Sequence, residues 1–523
     1  MIRPASASRL PTLGITRRLF SILPAANVEL LAALALAALY LAVMSGHLHS
    51  IDGLITYRQA ESLAFEGSLK WSQPLWLEAP WTTSKYGIGL SLLYVPGLLI
   101  WSWLHPYAPM SGAQPFDKAL YYDDPYYALA AAPVHIVITV AAAYLVALVC
   151  RELGLGKGGA LWGLALYGLG SPAIIYSRGD WGQQLEGLCW IAAIYGMLRF
   201  RRTANLGPLI FCSIAVCYSL LTRPLEGVLL SATIFALVVP GMHFWRWPVR
   251  AWRALAIVGA GFAAGVAITL LVNLLRYGSP LDFGYVGEGW TTPLGVGLTG
   301  ALVSPARGLL WQFPAVLLAP LGMLWLWRRG RRTLSLALAG LACAQLVNVA
   351  AWMWWWGGWN FGLRLFIPAL PILAVLAASG IKALPAGARN WIPGLLLMAG
   401  LAWAVPCVLT DLAGGYGETY NGTVESFRWD AYPPVGAWTF LHHLYATSSL
   451  DTNSIDIVWF RLAREAGNLS LLPMLALLAI AAALATRVLF SLRAFDGGIA
   501  MRSQNPINTS SPIPSPEMEI VRK

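Results

Sequence analysis

The chain has 523 residues, 58% of them hydrophobic and 11% charged, with a mean hydropathy of +0.62. This composition excludes a soluble domain and makes the bilayer the solvent to reason against. The formal charge of +11 is carried by short basic clusters between apolar runs, the pattern of orientation signals, which argues against nucleic acid as a partner. All six cysteines (Cys150, Cys189, Cys212, Cys217, Cys343, Cys407) fall in or at the ends of apolar runs, so neither a disulfide framework nor a zinc site is expected.

In chain order, Arg17 and Arg18 precede an apolar run at 28–48 that is long for a signal-peptide core, predicting an uncleaved anchor with a cytoplasmic N-terminus. Further spans are predicted near 130–150, 159–177, 183–199, 206–222, 225–241, 254–275, 308–327, 334–353, 365–381, 391–410 and 469–489. The expected fold is an all-α polytopic membrane bundle of about twelve spans. Segment 88–105 is equally apolar but is broken by Pro96-Gly97 and ends in an aromatic cluster. If it stays on the outer side, the cytoplasmic loops hold 23 of the 35 Lys and Arg residues; if it spans, every later loop inverts and the count falls to 13. It is therefore assigned as a re-entrant or interfacial helix.

The outer loops are then 49–129, 178–182, 223–224, 276–307, 354–364 and 411–468, which hold 17 of the 24 acidic residues, so any chemistry is expected outside. Residues 1–490 form one membrane domain with two long outer loops, 49–129 and 411–468. Two small helices against the headgroups are expected in the second, at WTFLHHLYATSSL and IDIVWFRLA. The Pro- and Ser-rich residues 491–523 are expected to be a largely disordered cytoplasmic tail.

The polar stretch 51–90 organises the rest. From Asp52 onward, Tyr57, Ala60, Leu63 and Ala64 recur at helical spacing, with Arg58, Gln59 and Glu61 opposite, predicting an amphipathic helix along the interface. Ser84-Lys85-Tyr86-Gly87 follows in the same loop. This order, an Asp just outside the first span, then interfacial helices and a Lys, resembles the GT-C glycosyltransferases, which include aminoarabinose transferases and protein O-mannosyltransferases. Short stretches farther on look similar to bacterial GT-C sequences: Thr222-Arg223-Pro224, NLLRYGSPLDFGY (273–285), SPARGLL (304–310) and WNFGLRLFIPALP (359–371).

The resemblance implies transfer of a sugar from a polyprenyl-phosphate donor to an acceptor hydroxyl of a lipid, glycan or protein, at the outer face of a bacterial cytoplasmic (inner) membrane. It requires no cofactor beyond that donor, and a divalent metal is left open. Such transfer needs a base for the acceptor proton, whereas the leaving phosphate is a stable anion that needs no acid. Asp52 is the candidate base. The growing phosphate charge calls for fixed cations, for which Lys85 and Arg58 are best placed; Arg223, Arg276 and Arg364, at outer span ends, are either further phosphate ligands or snorkelling anchors. In SRGDWGQQLEG (177–187), Glu186 and Asp180 stand where GT-C enzymes often place a second acid, Glu186 slightly preferred; each is alternatively a helix-start acid stabilised by the dipole.

Tyr57 and Trp359 are candidates for stacking on sugar or prenyl chain, although the run WMWWWGGWN (352–360) also fits an aromatic belt. Asp123-Asp124 before Pro125 is assigned to a turn, and no metal site is predicted. A lipid or glycan flippase, or a non-catalytic GT-C-like scaffold, is the competing reading. A proton- or ion-coupled carrier usually places ionisable groups at mid-bilayer, and here only Gln345, Asn348 and Asn273 lie deep.

Overall fold

A computed structural model of the protein describes residues 27–71, 82–104, 130–239, 248–358, 360–410, 422–446 and 455–503. Among them the chain is helical and contains no strand. The first half runs α1 (Val28–Ala42), α2 (Ile51–Glu61), α3 (Gly89–Leu104), α4 (Ala132–Glu152), α5 (Gly156–Gly168), α6 (Gln183–Thr203), α7 (Leu206–Thr222), α8 (Pro224–Val238) and α9 (Val249–Tyr277). The second runs α10 (Leu294–Val303), α11 (Ala319–Arg328), α12 (Arg332–Ala351), α13 (Leu370–Ile381), α14 (Trp391–Leu409), α15 (Pro433–Ala446), α16 (Val458–Ala466) and α17 (Leu472–Ser503).

Each of the twelve apolar runs forms helix, and local chemistry sets many of the ends. Asn205 caps α7 by accepting the N–H of Gly207 at 3.0 Å, Pro224 opens α8, and Gly278 ends α9 in the left-handed region at φ 77°. Two runs are interrupted. The run 159–177 stops as α5 at Gly168 and resumes after Ser171-Pro172 as the turn Ala173–Tyr176. The run 308–327 breaks at Phe313-Pro314, where the proline has no N–H to continue the ladder, and re-forms through a 3₁₀ turn into α11. The expected loop 276–307 contains an unanticipated helix, α10, and α17 runs on to Ser503, past the expected boundary at 490.

Among the described residues six helices, counting the 3₁₀ turns continuous with them, are long and apolar enough to cross a membrane. Every residue of α13 is buried, so this helix is the axis of the bundle. It touches α11 backbone to backbone: a Cβ on Gly322 or Gly380 would lie about 2 Å from the carbonyl of Leu376 or Leu318, so small residues set that approach. At the periphery α17 presents Leu475, Ile480, Leu489 and Phe490 outward, and α9 presents Leu271 and Leu275. Helices this apolar with their greasy sides bare are stable only against lipid. The chain is an integral, polytopic membrane protein.

The two ends of the bundle are chemically distinct. At one, Glu29 meets Arg151 at 3.5 Å and Glu152 meets Arg199 and Arg202 at 2.9 and 2.7 Å, around a cavity also lined by Lys157 and Arg487. At the other, Asp52 and Asp180 share a cleft with Arg223 and Arg276. Thus α1 leads from the Glu29 end to the Asp52 end and α4 leads back. The start of helix α3 lines the Asp52 cleft, and its Gly97 lies against Ala130 at the head of α4.

Candidate active site

The cleft is built around the start of α2. Ser50 caps that helix, its Oγ accepting the N–H of Gly53 at 3.0 Å. Asp180, from the loop before α6, accepts the backbone N–H groups of His49 and Ser50 at 2.7 and 3.1 Å and the Ser50 hydroxyl at 3.0 Å. Gly53 makes this possible, because a Cβ there would overlap the Asp180 carboxylate. Burial pushes the Asp180 carboxyl up to about 6, with the nearby Asp52 charge adding to it and the three hydrogen bonds opposing.

Asp52 follows two residues after the cap, 29% exposed. Its Oδ1 accepts the Tyr86 hydroxyl at 2.5 Å and its Oδ2 accepts Arg364 Nη1 at 2.7 Å. Burial alone would raise its pKa; Arg364, the Tyr86 hydroxyl and Lys85 outweigh it and hold the carboxyl below its ordinary value. Burial and the same Asp52 charge push the Tyr86 phenol well above its ordinary value, so Tyr86 is a hydroxyl donor.

Lys85 lines the cleft one residue before Tyr86, its ammonium paired with Glu288 and 5.5 Å from the Tyr285 ring centre. Arg276 donates to the Tyr86 carbonyl at 2.7 Å and to Gln59 Oε1 at 3.2 Å. Arg223 pairs with Glu226 at 2.8 Å and lines the cleft across from Asp52 and Lys85. Asp52 is thus held by Tyr86 and Arg364, with Lys85 nearby and Arg223 and Arg276 lining the same cavity. The cavity between them is narrow, about 50 Å³.

Other predicted residues lie elsewhere. Glu186 is buried one step behind the cleft, bonded to Trp190 Nε1 at 2.7 Å and to the Ser219 hydroxyl. It starts α6 facing inward, which leaves Asp180 as the second acid on the cleft. Arg58 pairs with Glu61 at 2.5 Å on the far side of α2 and does not line the cavity. Tyr57, expected to stack on substrate, is fully buried with its ring edge-on to Tyr94, 6.2 Å between centres. Gln59, expected on the polar face, is buried as the partner of Arg276, and Trp359 lies outside the described residues. Sequence reasoning missed Tyr86 and Glu288 as partners of Asp52 and Lys85; Tyr86 stood inside the quoted Ser-Lys-Tyr-Gly, but nothing marked Glu288.

Fold and cleft define a class: an integral helical membrane protein with a carboxylate paired to an arginine in a cation-lined cleft at one end of the bundle. No family model matches the sequence, and no curated protein is similar to it. Among solved structures it is similar to ArnT from Cupriavidus metallidurans in the apo state, at 16% identity and a TM-score of 0.47, over 88% of this chain and 76% of that one. The same protein bound to undecaprenyl phosphate gives 17% identity and 0.47, over 92% of this chain and 81% of that one. The Archaeoglobus fulgidus oligosaccharyltransferase in its apo form gives 13% and 0.45, over 76% of this chain and 55% of that one.

Proposed function

We propose that the protein is a GT-C-type membrane glycosyltransferase that moves a sugar from a polyprenyl-phosphate donor to an acceptor hydroxyl. The observation that carries this reading is the single cleft in which Asp52 meets Arg364, Tyr86 and Lys85. A carboxylate alone would be a base without a purpose, and cations alone a phosphate site; together they match the two charges that change in the transfer.

In the resting cleft Arg364 and Tyr86 keep Asp52 ionised but weakly basic. Donor phosphate entering beside Lys85, Arg223, Arg276 and Arg364 competes for these cations. As phosphate draws Arg364 away, Asp52 loses its strongest counter-charge and gains basicity next to the acceptor hydroxyl. The proton goes to Asp52 Oδ, the acceptor oxygen forms the new bond to the anomeric carbon, and the bond to phosphate breaks with its electron pair on oxygen. Asp180 holds the turn that carries Asp52 in this role. A bacterial cytoplasmic membrane is the location the GT-C resemblance implies, and the Lys and Arg asymmetry of the loops supports both termini inside with the cleft on the outer face.

The test uses the purified full-length chain in lipid nanodiscs with a panel of polyprenyl-phosphate sugars and envelope lipid, glycan and peptide acceptors. Sugar should leave one donor and appear covalently on one acceptor, with release of the polyprenyl phosphate. Scrambling of a donor between leaflets without any change in its covalent form would instead establish a flippase.

A further inference from the structure

Three buried side chains that the cleft does not use join the beginning of the first outer loop to the end of the last. His47 and His49 are alternate residues on the non-helical stretch between α1 and α2, and their rings lie together, 4.3 Å between centres. Asp456, just before α16, faces both: His47 Nε2 is 2.5 Å from Oδ1 and His49 Nε2 is 3.2 Å from Oδ2. One ligand atom from each residue lies within 4.8 Å of the others. None of the three lines the cleft.

The hydrogen bonding around them is that of a ligand set. His47 Nδ1 lies 2.8 Å from the Leu48 carbonyl, which can only accept, so Nδ1 carries a proton. This is the way metal-bound imidazoles are commonly oriented, and it turns the Nε2 lone pair toward a carboxylate oxygen that also bears lone pairs. Two such acceptors in a water-poor interior must share a positive charge: a proton at the hydrogen-bond separation seen, or a metal ion once Nε2 and Oδ1 part to ligand spacing. Arg178 does not supply that charge, because its Nη2 sits on the other carboxylate oxygen, 2.6 Å from Oδ2, and its Nη1 donates to the Val408 carbonyl. His49 Nδ1 is buried without a partner.

Two imidazoles and one carboxylate suit a borderline first-row ion, zinc above all, and not Ca²⁺ or Mg²⁺, which ask for oxygen ligands. We propose that His47, His49 and Asp456 bind one divalent transition-metal ion, zinc being the best fit, which clamps the exit of the first helix to the last outer loop.

The test measures metal on the full-length, tag-free protein purified without chelator. About one equivalent of zinc is expected by elemental analysis, and cobalt reconstitution should give the visible absorption of a four-coordinate nitrogen and oxygen site. After EDTA treatment, added zinc should raise the thermal midpoint of the wild type and leave that of His49→Ala unmoved. Monodisperse wild-type protein that holds no metal, gives no cobalt spectrum and shows no thermal response to zinc would overturn the proposal. So would a folded His49→Ala protein with undiminished zinc. Should that variant not fold, the wild-type metal content and cobalt spectrum decide alone, since a network held by a proton gives neither. None of these readouts depends on sugar transfer.

Discussion

Arg364 lies 312 residues after Asp52 and holds its carboxylate at 2.7 Å, so the first loop and the entry to the central helix close on one another at a charged contact. The pair is the most testable part of the cleft. Asp52→Asn keeps the shape but cannot take a proton, and a general base contributes roughly 10²–10⁴-fold to rate. Transfer should fall by about that factor while donor binding persists on the same preparation. Near-normal transfer would remove Asp52 as base and move the assignment to Asp180.

The same contact fixes a pH dependence. The folded-state pKa of Asp52 is depressed, so the carboxylate and the stability it contributes are present above its unfolded value and lost only as pH falls through the lower folded one. The acid limb of transfer by the free enzyme should therefore lie below the ordinary carboxylate range. Arg364→Gln removes the largest lowering influence and leaves burial, so the limb should move to higher pH. A limb in the same place in both proteins would show that Arg364 does not set the charge state of Asp52.

Glu288 occupies the Lys85 ammonium that a donor phosphate would need, and the cavity of about 50 Å³ holds little more than one or two water molecules. Glu288→Gln should therefore tighten donor binding several-fold. Lys85→Ala should weaken it strongly, and Lys85→Arg should recover part of the loss, because charge matters more than shape at this position. Binding of a defined donor to the three purified variants checks the order; unchanged affinity in Lys85→Ala would rule out the phosphate role.

Gly53→Ala should disrupt the cleft, since its Cβ overlaps the Asp180 carboxylate. Overpacking of this kind costs about 1–3 kcal/mol. A lowered thermal midpoint with reduced transfer is expected, and Asp180→Gly in the same chain should relieve part of the thermal loss. No relief would mean that the clash is not what destabilises the variant.

Sidedness is open to a direct assay. A reporter active only outside the cytoplasm should be active when fused after Gly112 and silent after Gly156, matching the loop charges. The reverse pattern would show that 88–105 spans and would undo the placement of every later loop.

Hydropathy placed a helix at each of the twelve predicted runs, because lipid solvation acts on every residue of a span and leaves a repeated signal. The helical character of 89–104 was equally visible, and charge asymmetry is the ground for keeping it on the outer side. Pairings could not be read in this way. Asp52 with Arg364, Lys85 with Glu288 and His47 with Asp456 are single contacts across 203 to 409 residues, and no local periodicity marks them. That Glu186 and Tyr57 are covered was hidden for a related reason: spacing gives a residue's position along a helix, but the neighbouring helix decides which of two adjacent faces is covered. Gln59 shows the same failure in reverse, a polar residue drawn inward because Arg276 is there to meet it.

Arg364 stands in the 3₁₀ turn that leads directly into α13, every residue of which is buried and which is locked to α11 through bare backbone at Gly322 and Gly380. Asp52, Lys85 and Glu288 are mounted on loops and on a short helix outside that axis. The cleft therefore has one fixed jaw and one compliant one. Amide exchange should be slowest along 370–381 and faster around 82–88 and 280–292, since opening free energies follow burial and contact density. Rearrangements that admit a bulky lipid-linked sugar would then be made by the compliant jaw, with the guanidinium of Arg364 as the stationary reference against which both substrates are aligned.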